Sequence, residues 1–182
     1  MSTSRTLRLS AAALSLIALT SALPVQAKDD TPPTVTYWSV WADKSGETHQ
    51  TRCAINDYKL VEFAPPAAPE WIKPLDNPIK KHQLAVQPVG WTGAWHKNPA
   101  PQWIVPLSGR WYVETTDGTR VEMGPGEIAF GGDQGAKDIN GHTGHTSGTV
   151  GDAPASLMII QLKHAPSGTS HEACPAGGIP LK

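Results

Sequence analysis

The chain has 182 residues, with 15 basic and 16 acidic side chains and a formal charge of −1 when its seven histidines are neutral. That length suits one domain, and a charge near zero removes the electrostatic case for a nucleic-acid partner. Glycine and proline number 17 each; both break helices, which argues against a helix bundle and for short strands joined by tight turns.

Residues 1–27 read as a secretory signal. Arg5 and Arg8 precede an apolar run from Leu9 to Leu23, and Val25-Gln26-Ala27 places small residues before a cut. The run is about 15 residues, short of the roughly 20 that span a bilayer, so it is an address and not an anchor. Nothing later is apolar enough to span. The expected location is periplasmic or secreted, with no membrane contact after signal removal. Residues 28–36 form a mobile leader, 37–163 the folded domain with its N-terminal strands, and 164–182 a polar C-terminal tail.

Alternating apolar and β-branched residues predict strands over 35–41, 48–55 and 58–63. Ala64 to Pro69 reads as an extended connector. Residues 70–82, with Pro74, Pro78 and Lys80-Lys81, read as surface loop. Denser β pattern follows, with strands over 84–90, 92–97, 102–107, 110–115, 119–123, 127–131 and 156–162. Asp117-Gly118 between two alternating runs is a hairpin signal, and Gly124-Pro125-Gly126 makes the next turn. Residues 131–151, rich in glycine, read as a long irregular loop. Many short antiparallel strands in one domain predict a barrel or sandwich. In an exported chain the even pair Cys53 and Cys174 is expected to form a disulfide.

The segment Gly90 to Gly109, GWTGAWHKNPAPQWIVPLSG, carries the candidate chemistry. His96, Asn98 and Gln102 share parity, whereas Trp91, Trp95 and Trp103 take the other, so one face is polar and the other aromatic. Inward-facing polar groups need partners, which a metal ion, a polar ligand or the groups themselves can supply. Trp91, Trp95, Trp103 and Trp111 read as core or interface residues, and a homodimer is expected on that account. His49, His82, His164 and His171 read as solvated. There is no phosphate loop, no GxSxG and no HExxH.

This spacing resembles the first motif of the cupins: Gly90, five residues, His96-x-Asn98, three residues, Gln102, six residues, Gly109. Pro125-Gly126-Glu127 and the apolar Ile128 to Phe130 resemble the opening of the second motif, and APPAAP, WHKNPAPQ, LSGRWYVETTDG and GPGE are similar to stretches of small single-domain cupins. The resemblance spans residues 37–162. It implies an all-β fold, an antiparallel double-sheet jelly-roll barrel. It also implies one divalent metal ion (Fe, Mn, Zn or Ni, not distinguished by sequence) held by His96, Gln102 and His145. Asn98 and His142 become ligand-binding candidates, with His142 the alternate to His145 as the last metal histidine. Two imidazoles and an amide are all neutral and leave the +2 charge uncompensated, unless Asp133, Glu127 or a ligand anion offsets it.

Two functions follow from the resemblance. One is an exported protein that binds a small organic molecule and acts on it as a metal-dependent oxygenase or isomerase. The other is a non-catalytic, metal-free binding or sensing module.

Overall fold

Fourteen strands and a single turn of 3-10 helix make up the regular structure of the computed structural model, which describes residues 31–166, 171–175 and 177–182. The signal segment 1–27 lies outside the described residues. The strands are β1 (Val35–Ala42), β2 (Thr48–Ile55), β3 (Lys59–Val61), β4 (Glu70–Ile72), β5 (Ile79–Gln87), β6 (Gln102–Ser108) and β7 (Arg110–Thr115). After them come β8 (Arg120–Met123), β9 (Ala129–Gly132), β10 (Asp138–Ile139), β11 (His142–Thr143), β12 (His145–Val150), β13 (Ala155–Leu162) and β14 (Ile179–Pro180). The protein is all-β.

A seven-stranded sheet runs β14-β2-β1-β9-β6-β13-β5, and a three-stranded sheet runs β12-β7-β8. All pairings in the larger sheet are antiparallel except β1 with β9. The two sheets meet through one apolar cluster. Val40, Ile104, Ala129 and Leu157 come from the inner face of the large sheet, and Trp111, Val113 and Met123 from the small one. Full burial of Val40, Ile104, Val113, Met123 or Leu157 contributes about 1.5–3 kcal/mol each.

Strand alternation gives the large sheet a second, outer cluster: Tyr37, Cys53, Ile55, Trp103, Phe130 and Leu162. Trp103 meets Tyr37 and Phe130 edge-on, at centroid separations of 5.1 and 4.8 Å. The C-terminal segment is pinned to this face. Cys53 and Cys174 form a disulfide, the Tyr37 hydroxyl donates to the Pro175 carbonyl, and β14 pairs with β2. A disulfide indicates an oxidising, exported compartment. No helix among the described residues is long and apolar enough to cross a membrane.

Four sequence expectations are corrected. The glycine-rich stretch 131–151 is not one irregular loop. Its last part is β12, whose His145 to Val150 pair with Thr115 to Arg110. Residues 70–82 hold β4 and the start of β5 despite their prolines, because Pro74 and Pro78 both fall between the strands. The expected strand 92–97 is reduced to two isolated bridges, Thr92 with Gly148 and His96 with His145. Finally, the tail contributes β14.

Candidate functional site

Three neighbouring strands place one polar rung across the inner face. Gln161 on β13 is opposite Gln102 on β6, and Gln102 is opposite Gly131 on β9. Gln161 Nε2 donates to Gln102 Oε1 at 3.1 Å, and Gln102 Nε2 donates to Asn98 Oδ1 at 2.6 Å. Asn98 covers Gly131, where a Cβ would fall inside the Asn98 side chain. The missing side chain at 131 is therefore what seats the amide.

The network converges on Asp133. Strand β9 ends one residue before it, and the 3-10 turn Asp133–Gly135 buries its carboxylate completely. Oδ1 accepts the Asn98 backbone N–H at 2.9 Å and its Nδ2–H at 2.7 Å, while Oδ2 accepts from His145 Nδ1 at 2.7 Å. Burial pushes the carboxyl upward. The hydrogen bond and charge of His145, with the two Asn98 donors, outweigh that and hold it below the ordinary carboxylate range.

Two imidazoles face each other at the end of this network. Backbone bonds join residues 96 and 145 in both directions at 2.9 Å, and the two rings stand 4.6 Å apart at 49°. Gly144, at φ +83°, permits this approach, because a Cβ there would collide with the His96 carbonyl. His145 is buried and His96 exposed. His145 Nδ1 bonds the Asp133 carboxylate, and His96 Nδ1 bonds the Ala94 carbonyl at 2.7 Å. A carbonyl only accepts, so His96 carries its proton on Nδ1; a carboxylate places it likewise on His145. In the neutral form each ring then presents Nε2 as a free acceptor, without a partner among the described residues.

The structure thus brings His96, Asn98, Gln102 and His145 into one connected cluster with Asp133 as its hub. Asn98 and Gln102 spend both ends of their amides on protein partners. His142 stands apart: it is exposed and stacks on Trp95, with centroids 4.3 Å apart and rings 9° from parallel. Among the tryptophans, Trp103 and Trp111 are buried in different clusters, whereas Trp91 is 37% exposed. The tryptophans therefore do not form one common surface.

A second polar cluster lies on the β1–β2 hairpin. Asp43, Glu47 and His49 bring ligand atoms within 4.8 Å of one another, a group that can hold a metal ion. Asp43 Oδ1 accepts from the Ser45 hydroxyl at 2.6 Å and from two backbone N–H groups of the turn. The Ser45 bond and these donors lower its pKa to about 2. His49, expected to be solvated, is instead partly buried, with Nδ1 at 2.8 Å from Asp117 Oδ2 and Nε2 at 3.6 Å from Asp43. Sequence reasoning missed this group, although Asp43, Glu47 and His49 fall within seven residues of one turn.

The expected metal can be tested against the donors present. A resident first-row metal takes three or four protein ligands. The cluster at residues 96–145 offers two unengaged imidazole nitrogens. The Asp133 carboxylate and the Gln102 and Asn98 amides are held by protein hydrogen bonds, so the donor set does not amount to a closed metal site.

No family model and no curated protein matches the chain. Among solved structures it is similar to the crystal structure of protein NMB1881 from Neisseria meningitidis, with 19% identity over 50% of this chain and 89% of that one, at a TM-score of 0.34.

Proposed function

We propose that this is an exported, cupin-like jelly-roll protein that binds a small organic molecule at His96 and His145 without a resident metal. The observation that carries the reading is the donor arrangement. Both ends of the buried Asn98 and Gln102 amides are engaged within the protein, and two adjacent imidazole Nε2 acceptors are left over. Such acceptors take hydroxyl or amide donors of a ligand, and the Asp133 carboxylate behind His145 fixes the ring that receives them. Asn98 acts in this reading by holding Asp133, and Gln102 by holding Asn98. A homodimer belongs to the same proposal, with its contact on the free edge strand β5, where Leu84 and Val86 are exposed.

The second reading is a metal-dependent oxygenase or isomerase. It is favoured by one feature: both imidazoles have Nδ1 tied to an oxygen, the arrangement that orients metal-binding histidines. A divalent ion there would polarise a bound substrate or dioxygen.

Equilibrium dialysis against Zn²⁺ with metal analysis, run beside nitrogen-15 spectra of the imidazoles during catechol titration, separates the two readings. The expected result is saturable movement of the His96 and His145 Nε2 signals with catechol, and no Zn²⁺ whose binding depends on His96. An equivalent of Zn²⁺ that is lost in His96→Ala and kept in His49→Ala overturns the metal-free reading. So does a failure of catechol and similar hydroxylated probes to move either ring.

A further inference from the structure

The outer face of the large sheet, behind the polar rung, holds a chamber of about 210 Å³. Ile55, Val105, Ile128 and Ile160 form its apolar floor, and Tyr58, Lys73 and Leu75 close it from the segment that follows β2. The rings of Tyr37 and Trp103 also line it. Two features set it apart from an ordinary packing gap. It is larger than the roughly 150 Å³ apolar cavity that takes a benzene ring. The one charged side chain in its wall is Lys73.

The charge at Lys73 is not fully met within the protein. Its Nζ lies 2.9 Å from Asp57 Oδ2, but Lys59 reaches the same side chain at 3.5 Å, so two ammonium groups share one carboxylate. Asp57 is itself 67% exposed. The next carboxylate, Asp76, lines an adjoining recess and not the chamber. An apolar space with aromatic walls, sized for one ring and carrying a cation in its wall, defines a ligand by shape and charge together.

We propose that this chamber binds a small aromatic monocarboxylate, its ring against Trp103, Tyr37 and Tyr58 and its carboxylate on Lys73. Aromatic walls favour a ring through edge and offset contacts. The fixed positive charge selects the anion over a neutral analogue. The site is separate from His96 and His145, because Gln102 and Trp103 are consecutive residues of β6 pointing to opposite faces.

Calorimetric titration of the full chain with benzoate, and with toluene as the neutral comparison, tests the assignment. Benzoate is expected to bind one-to-one, at least about tenfold more tightly than toluene. Lys73→Met should weaken it by a similar factor, Val105→Trp should abolish it by filling the space, and His96→Ala should leave it unchanged. If Val105→Trp does not fold, Val105→Ala replaces it; the enlarged chamber should then gain affinity for 2-naphthoate. No benzoate binding up to about 10 mM overturns the proposal. Binding that ignores Lys73→Met overturns the anionic class, and binding lost in His96→Ala but kept in the Val105 variants places the ligand elsewhere and rejects the chamber. Because catechol at His96 and His145 is read separately, failure here is distinguishable from failure of the proposed function.

Discussion

Gln102 and Trp103 are neighbours in the chain and stand on opposite faces of one sheet, and the two faces solve burial differently. On the inner side, Gln161, Gln102, Asn98, Asp133 and His145 form a line in which each buried polar group meets another. On the outer side, Trp103 sits among Tyr37, Phe130 and aliphatic residues beside an apolar chamber. A satisfied polar network fixes side chains in one arrangement. An apolar wall beside a cavity keeps room for something else. The inner face thus orients His145, while the outer face retains the capacity to bind.

The largest expected effect lies on the outer face. The disulfide joins residues 121 apart in sequence, and on the chain-entropy account a loop of that size stabilises by about 4–5 kcal/mol. Replacing Cys53 and Cys174 together by alanine should lower the urea midpoint accordingly. A loss no larger than that of an ordinary surface substitution would show that β14 and the Tyr37–Pro175 hydrogen bond hold the tail unaided.

On the inner face the hub is Asp133. Asp133→Ala removes the acceptor for three N–H groups and leaves the buried His145 without its partner, which should cost about 3–5 kcal/mol at neutral pH. The pH dependence has a fixed sign. The native carboxyl titrates below its ordinary value, so the unfolded chain, with an aspartate near pKa 3.9, takes up the proton first. The stabilisation is complete above about pH 4 and is lost as pH falls through the lowered native value. Urea midpoints at pH 7 and pH 3 check this. The gap between wild type and Asp133→Asn should narrow at pH 3, and a constant gap would mean that the carboxylate charge contributes nothing.

His96, Asn98 and Gln102 share parity along Gly90 to Gly109, but strand alternation is not what unites them, because only Gln102 lies on a strand, β6. His96 joins through its bridge to His145, and Asn98 through hydrogen bonds to Asp133 and Gln102. What could not be read was the hub. Asp133 sits among glycines that look like loop, and its role depends on Gly131 making room for Asn98. β12 was hidden for the same reason, because Gly144 and Gly148 dilute its pattern while its partner strand supplies the order. The Asp43, Glu47 and His49 group escaped because each residue looks like solvated hairpin, and its fourth neighbour, Asp117, lies 68 residues away. The attachment of the tail beside the outer cluster likewise involves a disulfide between residues 121 apart in sequence.

The smallest effect is expected where neither face is involved. His142 lies at the surface, its ring stacked on Trp95, and it touches neither the polar rung nor the outer chamber. His142→Ala should change stability by about 0.5 kcal/mol or less, as surface substitutions do. The informative measurement is therefore catechol titration, since stability alone would pass over a ligand role. If the ligand is held by His96 and His145 alone, His142→Ala leaves the shifts of those two imidazoles intact. If the stacked Trp95–His142 pair forms part of the binding surface, the same substitution weakens catechol while the urea midpoint stays put. That combination would extend the site outward from the buried network to the exposed stack, and it would mark a third surface beyond the two faces of β6.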